Sequence, residues 1–562
     1  MTKILAPGES DTGQAGVPQR SRSAWISCCI LGALWGAPFI AMLLWSLSTQ
    51  ALRSVLTLVF TAILVTMTLA ACARTWRRLF LWTFPLWVVA AAYSTCAIVS
   101  DKVAERIVAL LLSSTSWEEI SGLFSVWQHK WMTLPVAGFL ALYLILAWRL
   151  PVWPIFSRAG MAVVRVLLVL TLPMAVFAAQ NSAQMTAGLA LNPVIGSLMF
   201  FGVQMPRAHD ELRGKLVVKT PFHAQRTGTD EEVHVLIVGE SVRRASWSAY
   251  GYARATTPYL DGLEKDGDAI LLRDAMSDAN ITILAVPIIL TGLPPQEAMQ
   301  GRRWGGNLLD LAKEAGYTTS WLVNQDVGVS TSMGMAADHL EYPPGGHEDL
   351  FSRRAFDEIL LPAYRREIAH TGHARLIGMH IMGSHWQYHL RYPKRFQRFD
   401  SAEGLSAPPS ATTDRSMAAD LVDAYNNTVL YTDSFLQQVI EQARGLQVPA
   451  TLTFIPDHGE ASPYLDGAAV GHGAAKYVPA EFEIPAFIWV NAAYRKAHPE
   501  KVAALEANAS KEIRSHDVFY TVADLMGITW PGAAPERSFA SEHFIPDGTK
   551  EHLVRGVLTT RP

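Results

Sequence analysis

The sequence predicts a two-part protein: an N-terminal α-helical membrane domain of about five transmembrane helices, then a C-terminal α/β domain with a mostly parallel sheet. Apolar runs long enough to cross a bilayer are confined to the first third of the 562 residues. Beyond residue 230, short β-branched runs alternate with helical patterns, which is typical of a parallel sheet. The chain is 50% hydrophobic and 17% charged, a balance that excludes wholesale disorder.

The charge balance and the cysteine content exclude two classes of site. Lys and Arg number 47 against 50 Asp and Glu, so no basic excess exists to neutralise a nucleic-acid backbone and no nucleic-acid partner is expected. The four cysteines lie in apolar runs of the first hundred residues, where buried core positions are expected: Cys28, Cys29, Cys72 and Cys96. Any metal bound by the rest of the chain must therefore be held by His and carboxylates.

Five apolar runs predict the membrane spans, at residues 25–47, 55–73, 79–99, 132–148 and 161–179. The first is about 23 residues long, enough to cross a hydrocarbon core of roughly 30 Å and too long for a signal-peptide core. The fifth is interrupted by Arg165 near one end. The runs together predict a transmembrane domain over residues 25–180.

Basic residues in the short loops predict the orientation. Arg74, Arg77 and Arg78 lie between spans two and three, and Arg149 and Arg158 lie between spans four and five. Loops rich in Lys and Arg face the cytoplasm. Residues 1–24 are therefore expected to be a cytoplasmic tail, whereas the loop at 100–131 and everything after the fifth span are expected outside the cytoplasm.

Residues 181–231 are expected to bridge the two domains. The apolar run 189–203 is about 15 residues long and contains Pro193, so an interfacial helix is favoured over a sixth span. A polar stretch then leads into the soluble domain, which is predicted over 232–562. Its strands are expected at 233–238, 320–324, 376–381, 451–455 and 486–490, with helices at 308–314 and 418–443.

Three of these strands end in polar clusters. Glu240 follows the first strand, His385 follows the third, and Asp457 with His458 follows the fourth. Ligands of open α/β sheets bind beyond the carboxyl ends of the strands. Glu, Asp and His suit a zinc or manganese ion. His472 lies between two glycines fourteen residues after His458.

Each of these signals has a structural alternative when it is considered alone. An Asp-His pair after a strand is often a turn or a cap, and a histidine between glycines is often an exposed loop residue. Their combination in a domain without cysteine predicts a metal site.

Several motifs in one order resemble the membrane-bound phosphoethanolamine transferases of the alkaline phosphatase/sulfatase superfamily. They are VGES at 238–241, YGY at 250–252, TTP at 256–258, GSH at 383–385, RYP at 391–393, DHGE at 457–460 and HG at 472–473. The resemblance covers essentially the whole chain. It implies a multi-pass protein of the bacterial inner membrane with a catalytic alkaline phosphatase/sulfatase-like domain in the periplasm.

The resemblance also implies a nucleophile. The family's threonine follows the Gly-Glu-Ser motif by some forty residues, and Thr282 in the string NITI at 280–283 lies at that place. A threonine hydroxyl is inert at neutral pH unless a metal or a base activates it, and Zn²⁺ supplies such activation. The structural alternative for Thr282 is a helix N-cap. Thr291, the nearest rival, has the pattern of a helix-end residue before Gly292.

By the same resemblance Glu240, Asp457 and His458 complete the metal shell with Thr282. One tightly bound Zn²⁺ is implied, and a second ion is left open. His385 and His472 are similar to the pair that contacts the phosphoryl group or a second metal, and one of them would protonate the leaving alkoxide. Structural, packing or surface roles are expected for a further set: Thr256, Pro258, His347, His380 and His389.

The loop at 100–131 resembles the family's periplasmic helix that binds the donor headgroup. Thr115 and Glu119 have the matching spacing, and a carboxylate there could pair with an ethanolamine ammonium. The family's asparagine four residues before the threonine is Leu111 here, and a solvated helix face is the alternative. The family branch that modifies lipid A usually carries disulfides in its catalytic domain. This chain has none of those cysteines, which places it closer to the branch acting on the lipopolysaccharide-core heptose.

The function implied is transfer of phosphoethanolamine from phosphatidylethanolamine to lipopolysaccharide, at lipid A or a core sugar or phosphate. The implied route is a covalent phosphothreonine-type intermediate on a zinc site. The alternatives are a sulfatase-like membrane hydrolase, a phosphodiesterase or a glycerolphosphate transferase using the same residues, and a degenerate protein that only binds a partner.

Overall fold

The computed structural model describes residues 22–49, 52–99, 130–181, 189–204, 221–228, 230–299, 306–325, 329–341, 356–386, 388–400, 415–462, 471–474 and 476–561. These residues form two compact units, one that ends at Gln204 and one that holds the described residues from 221 onward. Most of the predicted loop at 100–131, including Thr115 and Glu119, lies outside the described residues, as does His347, which was expected to be a packing or surface residue.

The first unit is helical. Its helices are α1 (Arg22–Thr49), α2 (Leu52–Ala73), α3 (Trp76–Trp82), α4 (Phe84–Val99), α5 (Lys130–Arg149), α6 (Arg158–Asn181) and α7 (Pro193–Met199). Within the described residues, two stretches are long and apolar enough to cross a membrane, Ser23–Leu47 and Ser54–Ala73. The predicted helical domain is confirmed, and two of its five predicted spans meet this test.

The third predicted span, 79–99, is wrong as one continuous helix. The chain breaks at Thr83 between α3 and α4 because Pro85 has no N–H group to donate to the carbonyl of Leu81 and its ring would clash with that carbonyl in a continuous helix. The Thr83 hydroxyl accepts a hydrogen bond from Trp35 Nε1 at 2.9 Å, which connects the break to α1.

The cysteines differ in burial. Cys28 is buried as predicted, whereas Cys29 and Cys72 are exposed, since neighbouring helix positions face different sides.

The apolar stretch predicted as an interfacial helix packs inside the first unit. Asn192 caps α7 by accepting hydrogen bonds from the N–H groups of Val194 and Ile195, at 3.0 and 3.1 Å. Its amide donates to Thr61 Oγ1 on α2 at 3.2 Å, and the hydroxyl of Tyr93 on α4 donates to the carbonyl of Ala190 at 2.6 Å. These contacts fix α7 against α2 and α4.

The second unit is built on an eight-stranded, mostly parallel sheet in the order β5-β4-β6-β2-β7-β8-β3-β9. The strands are β2 (Val233–Gly239), β3 (Ala269–Met276), β4 (Thr318–Val323), β5 (His339–Glu341), β6 (Arg375–His380), β7 (Ala450–Pro456), β8 (Glu483–Val490) and β9 (Glu512–Arg514). Strand β8 is antiparallel to both β3 and β7. The predicted α/β class is confirmed, and all five predicted strands are present.

Helices cover the sheet at α8 (Pro258–Lys265), α9 (Thr282–Thr291), α10 (Pro295–Met299), α11 (Leu308–Glu314), α12 (Val329–Gly334), α13 (Leu361–Ala369), α14 (Arg415–Arg444), α15 (Ala492–Ala497), α16 (Pro499–Asn508) and α17 (Asp517–Leu525). The predicted helix 308–314 matches α11, which begins at an Asn307 capping box. Thr256 has its predicted structural role, since its hydroxyl donates to the carbonyl of Ser246 at 2.7 Å. Pro258 begins α8 as predicted.

Two small strand pairs complete this unit. Strand β1 (Gln225–Arg226), which lies in the segment predicted as a linker, pairs with β10 (Ile528–Thr529). Strands β11 (Glu551–Val554) and β12 (Val557–Thr560) form an antiparallel hairpin. Leu553 of this hairpin bridges Ala279, in the loop between β3 and α9, and its N–H donates to the carbonyl of Asp278 at 2.7 Å. The hairpin is thereby anchored to the loop that precedes Thr282.

Candidate metal centre

The predicted site residues converge at the carboxyl edge of the sheet. Strand β2 lies between β6 and β7 and is parallel to both, so the three strands end on the same side. Glu240 follows β2 directly, Asp457 follows β7 directly, and His385 follows β6 by five residues. Thr282 begins α9, six residues after β3. The placement agrees with the rule that ligands of open α/β sheets bind at this edge.

Glu240, Asp457 and His458 form a fully buried cluster whose ligand atoms lie within 4.8 Å of one another. His458 Nε2 is 3.6 Å from Glu240 Oε1 and 3.3 Å from Asp457 Oδ2. Thr282 Oγ1 joins them, 3.3 Å from Glu240 Oε2 and 3.2 Å from His458 Nε2. Two carboxylates, an imidazole and a hydroxyl thus surround one point.

These residues fit a divalent cation. Two carboxylates packed together without solvent repel each other unless a cation or a proton lies between them. Asp457 Oδ2 is buried and accepts no hydrogen bond from any residue that the structure describes. His458 Nδ1 donates to the carbonyl of Gly459 at 2.9 Å, so its Nε2 lone pair faces the cluster. Carboxylate and imidazole donors of this kind suit Zn²⁺.

Burial and neighbouring charges shift the pKa values of Glu240 and His458 in opposite directions. Burial and the neighbouring Asp457 raise the pKa of Glu240 to about 8. Burial and the nearby His472 lower the pKa of His458 well below its usual value, so the ring is neutral at pH 7. A neutral imidazole is the form that binds a metal.

The backbone around Glu240 is held in an uncommon conformation. Ser241 has a φ of +56°, in the left-handed region that a non-glycine residue rarely adopts. Its hydroxyl donates to Glu240 Oε1 at 2.7 Å and its N–H donates to Asp457 Oδ1 at 3.1 Å. Gly383 has a φ of +48°, and a Cβ there would lie 2.9 Å from the carbonyl oxygen of Glu240. A side chain at Gly383 would therefore displace the loop that bears Glu240.

His472 and His385 flank the cluster. The ring of His472 lies 4.1 Å from that of His458 and 6.1 Å from that of His385, measured between centroids. His472 Nδ1 lies 2.8 Å from Glu460 Oε2. Burial alone would lower the pKa of His472, but Glu460 outweighs it and, with Glu240 and Asp457, raises the pKa to about 10. His472 is therefore an imidazolium beside the cluster in the absence of a metal.

Sequence reasoning assigned no role to several residues that touch these side chains. Gln325 Nε2 donates to Glu240 Oε2 at 3.2 Å and to the carbonyl of Ile381 at 2.8 Å. Gln325 follows β4, so the rule applied to the other strand ends would have found it. Glu460 is buried, and its partnership with His472 depends on tertiary contact.

The remaining predicted residues divide between confirmation and correction. His380, expected as a packing or surface residue, is fully buried, with Nε2 3.7 Å from Glu240 Oε2. His380 is the last residue of β6, and this position buries its side chain next to Glu240. Burial lowers the pKa of His380 to about 4. His389 is exposed as expected. Thr291 ends α9 before Gly292, and its hydroxyl donates to the carbonyl of Pro287 at 2.6 Å, as a helix-end residue does.

Comparison with known proteins agrees with the fold. Residues 233–528 match the sulfatase family, which covers more than half of the chain. The chain belongs to the sulfatase family, within the alkaline phosphatase/sulfatase superfamily.

Several of its curated relatives are named phosphoethanolamine transferases. Phosphoethanolamine transferase EptC of Escherichia coli K12 is 24% identical over 328 residues, which are 57% of this chain and 55% of the relative. CptA of Salmonella typhimurium is 26% identical over 318 residues, 55% of this chain and 53% of the relative. The putative transferase YhbX of E. coli K12 is 31% identical over 274 residues, 48% of this chain and 45% of the relative. The chain thus spans about half the length of these relatives in the matched regions.

Two solved structures share the fold. The integral membrane protein lipooligosaccharide phosphoethanolamine transferase A of Neisseria meningitidis superposes with a TM-score of 0.62 at 20% identity, covering 92% of this chain and 97% of that one. The periplasmic domain of E. coli EptC in complex with Zn superposes with a TM-score of 0.55 at 23% identity, covering 61% of this chain and 96% of that one.

Proposed function

We propose that the chain is a zinc-dependent phosphoethanolamine transferase of the bacterial inner membrane, with phosphatidylethanolamine as donor and lipopolysaccharide as acceptor. The observation that carries the proposal is the contact of Thr282 Oγ1 with Glu240 and His458 at the start of α9. A half-buried hydroxyl beside two potential metal ligands has the surroundings of an activated nucleophile. The relatives named as phosphoethanolamine transferases support the choice of transferred group.

Glu240, Asp457, His458 and Thr282 are the residues that would hold Zn²⁺. When bound, Zn²⁺ would lower the pKa of the threonine hydroxyl and neutralise charge on the phosphoryl oxygens. The zinc complex of a related periplasmic domain supports this choice of metal. His458, Glu460 and His472 form a second group whose ligand atoms lie within 4.8 Å of one another, which supports a second ion as an open possibility.

The chain's own residues account for each step of the transfer. Thr282 Oγ gives up its proton and attacks the phosphorus of phosphatidylethanolamine, the bond from phosphorus to the diacylglycerol oxygen breaks, and a histidine beside the site transfers a proton to that oxygen as diacylglycerol leaves. An acceptor hydroxyl then attacks the phosphorus, the bond from phosphorus to Thr282 Oγ breaks, and the proton of the acceptor hydroxyl passes to Thr282. The start of α9 directs positive dipole toward the phosphoryl oxygens. Glu460 Oε2 accepts a hydrogen bond from His472 Nδ1, so the other ring nitrogen, Nε2, is the one that would donate a proton to the leaving oxygen. His385 is the other candidate proton donor.

The membrane arrangement is part of the proposal. Helices α1 and α2 would be the first two spans, and α4, α5 and α6 would complete five spans. The catalytic domain, residues 232–562, would then lie in the periplasm, joined through residues 181–231. Thr115 and Glu119 remain the proposed contacts to the donor headgroup. An anchor of this kind suits an enzyme whose donor and product are both lipids.

A hydrolase is the second candidate, because the family match by itself is to sulfatases. A sulfatase-like membrane hydrolase, a phosphodiesterase or a glycerolphosphate transferase could use the same threonine and metal ligands. These candidates differ from the first in the acceptor or in the group transferred. Incubation of the purified protein with labelled phosphatidylethanolamine, with and without lipopolysaccharide, separates them.

The test of the proposal is the site of the covalent adduct. Thr282→Ala is expected to keep its zinc and form no adduct, whereas Thr282→Ser is expected to retain part of the activity because it keeps the hydroxyl. Thr291→Ala, on the same helix, is the matched control and is expected to behave as the wild type. Intact-mass measurement and peptide mapping after incubation with donor lipid locate the added phosphoethanolamine. An adduct on another residue, or transfer by Thr282→Ala, would overturn the assignment.

A further inference from the structure

A buried amide lies two residues before the proposed nucleophile. Asn280 is fully buried in the loop between β3 and α9. Its Nδ2 donates to Glu481 Oε2 at 2.7 Å and to the carbonyl of Ala474 at 3.2 Å. Its Oδ1 accepts from the N–H of Arg555 at 2.8 Å. Both amide protons and the carbonyl oxygen are thus used, which fixes the orientation of the side chain.

The partners of Asn280 come from three separate segments. Ala474 follows the loop that carries His472, Glu481 precedes β8, and Arg555 lies in the turn of the β11–β12 hairpin. Glu481 joins two of these segments, since its carboxylate oxygens also accept from the N–H of Ala474 at 3.2 and 3.1 Å. The carbonyl of Glu481 accepts from the N–H of Gly459 at 2.8 Å, next to His458. The side chain of Asn280 therefore joins two loops. One is the nucleophile loop, residues 277–281 before Thr282, and the other is the histidine loop, residues 471–474 around His472.

The two loops are also in close contact beside this amide. Gly473 has a φ of +71°, and a Cβ there would lie 3.2 Å from Ile281 Cγ2. The guanidinium of Arg555 donates to the carbonyl of Gly473. Ile281 precedes Thr282 and Gly473 follows His472, so a shift of either loop moves a residue that would face the phosphoryl group in the proposed reaction.

We propose that Asn280 is a positioning residue that fixes the spacing between Thr282 and His472, and that Glu481 holds its amide in place. This inference rests on the proposed function, in which the phosphoryl group is transferred between these two side chains. Displacements of about 1 Å at a reacting centre cost roughly 100-fold in rate. The amide is therefore required for the rate of adduct formation more than for the binding of donor or the stability of the fold.

A matched control distinguishes positioning from general stabilisation. Asn508 is a second buried amide of the same unit, and its Nδ2 donates to the carbonyls of Phe539 and Ser541 at 3.1 and 2.9 Å. Asn280→Ala and Asn508→Ala each remove two donated hydrogen bonds from a buried site. A loss of stability alone affects both variants, whereas a loss of positioning affects Asn280→Ala.

The first measurement is adduct formation by the zinc-loaded full chain with phosphatidylethanolamine, together with zinc content and Tm. Asn280→Ala is expected to form the adduct about 10- to 100-fold more slowly than the wild type, with the KM for donor changed less than about threefold. Asn508→Ala is expected to lose a similar number of degrees in Tm and to keep the wild-type rate. Equal rates for the two variants, or a slow rate explained by lost zinc, would overturn the proposal.

The second measurement does not depend on turnover. Hydrogen–deuterium exchange of the metal-free full chain is expected to rise at the N–H groups of Ala474 and Arg555 in Asn280→Ala and to stay unchanged there in Asn508→Ala. If the wild type forms no adduct on Thr282, the proposed function fails while this exchange measurement still decides the coupling. Unchanged exchange in Asn280→Ala would overturn the coupling even if transfer is established.

A reciprocal exchange of donor and acceptor supplies the rescue. Asn280→Asp turns the group that donates to Glu481 into a carboxylate facing a carboxylate, and Glu481→Gln replaces the acceptor with an amide. The double variant N280D/E481Q restores one donor and one acceptor across this contact. The double variant is expected to form the adduct at least about tenfold faster than Asn280→Asp. A double variant no faster than Asn280→Asp would show that the contact does not set the rate.

Discussion

Replacement of Asp278 by asparagine tests the buried ion-pair and hydrogen-bond network in the loop that precedes the proposed nucleophile, Thr282. Asp278 Oδ1 accepts from Arg514 Nε at 3.0 Å and from Arg514 Nη2 at 2.6 Å. Its Oδ2 accepts at 2.8 Å from three donors, the hydroxyl of Ser515 and the N–H and Nδ1 of His516. Asp278 is fully buried and Arg514 is nearly so. The substitution keeps the shape of the side chain and leaves the guanidinium without its charge partner.

The cost follows from the absence of solvent. Removing one partner of a buried ion pair leaves an uncompensated charge and destabilises by about 3–5 kcal/mol. The entropy of unfolding is about 2.1 cal/mol/K per residue. For the second unit, residues 221–561, this free energy therefore corresponds to a loss of about 4–7 °C in Tm. Because Asp278 lies four residues before Thr282, a local loss of order in this loop is expected together with the drop in Tm.

The assay is thermal unfolding of the purified full chain at pH 5 and at pH 8. Burial alone would raise the pKa of Asp278, but His516 and Arg514 outweigh it and hold the pKa well below its usual range. A carboxyl with a depressed pKa stabilises the fold above its unfolded pKa of about 4, and this contribution is lost only as the pH falls through the folded pKa. The part of the loss in Asp278→Asn that comes from Arg514 should therefore be the same at both pH values, because the guanidinium stays charged at both.

Asp433→Asn is the matched control. Asp433 is also buried, but among the described residues its carboxylate accepts from the N–H groups of Tyr259 and Leu260 alone, at 2.8 and 3.1 Å. Burial raises its pKa to about 7, so its ionisation weakens the wild-type fold as the pH rises from about 4 through 7. Asp433→Asn should be less stable than the wild type at pH 5 and should recover relative to it at pH 8. A loss below about 1 kcal/mol in Asp278→Asn, or one that follows the pH dependence of Asp433→Asn, would refute the ionic account.

Two further predictions concern the metal and the topology. Glu240→Ala and Asp457→Ala should each purify folded with substoichiometric zinc, and elemental analysis showing full occupancy in both would mean that the centre is misplaced. Because burial and Asp457 raise the pKa of Glu240 to about 8, zinc binding must release its proton, so zinc affinity should rise with pH up to about 8 and then level off; a flat profile would contradict this linkage. A phosphatase reporter fused after Pro562 should be active in the periplasm and a β-galactosidase fusion inactive, and the reverse result would exclude a periplasmic acceptor.

The strand ends of the site were predictable because the signal is local. Strands β2, β6 and β7 are mostly apolar and buried along their whole length, and polar residues such as Glu240 and Asp457 follow them. The start of α11 was predictable for a similar reason, since Asn307 and Asp310 form a capping box within four residues.

Other parts of the site depend on contacts that no local pattern records. Strand β3 was not predicted because Arg273 and Asp274 interrupt its apolar run, although it leads to Thr282. Glu481 has no sequence neighbour in the site and becomes relevant only when the fold brings it to Asn280. The break at Thr83 was missed because hydropathy averages over Pro85. Site residues at the ends of strands and helices were therefore predictable from the sequence, whereas contacts between separate loops were not.

The anchoring of the β11–β12 hairpin to the loop at 277–281 has a consequence for biosynthesis. Leu553 donates to Asp278, and the N–H of Asn280 donates back to Leu553 at 3.3 Å, so the nucleophile loop is braced by residues almost 300 positions later in the chain. Contacts of such wide sequence separation form late in folding. A nascent chain that has presented Glu240 and Thr282 still lacks Asp457, His472 and this brace. The proposed catalytic centre is therefore incomplete until the last residues of the hairpin have been synthesised and have folded onto the loop at 277–281.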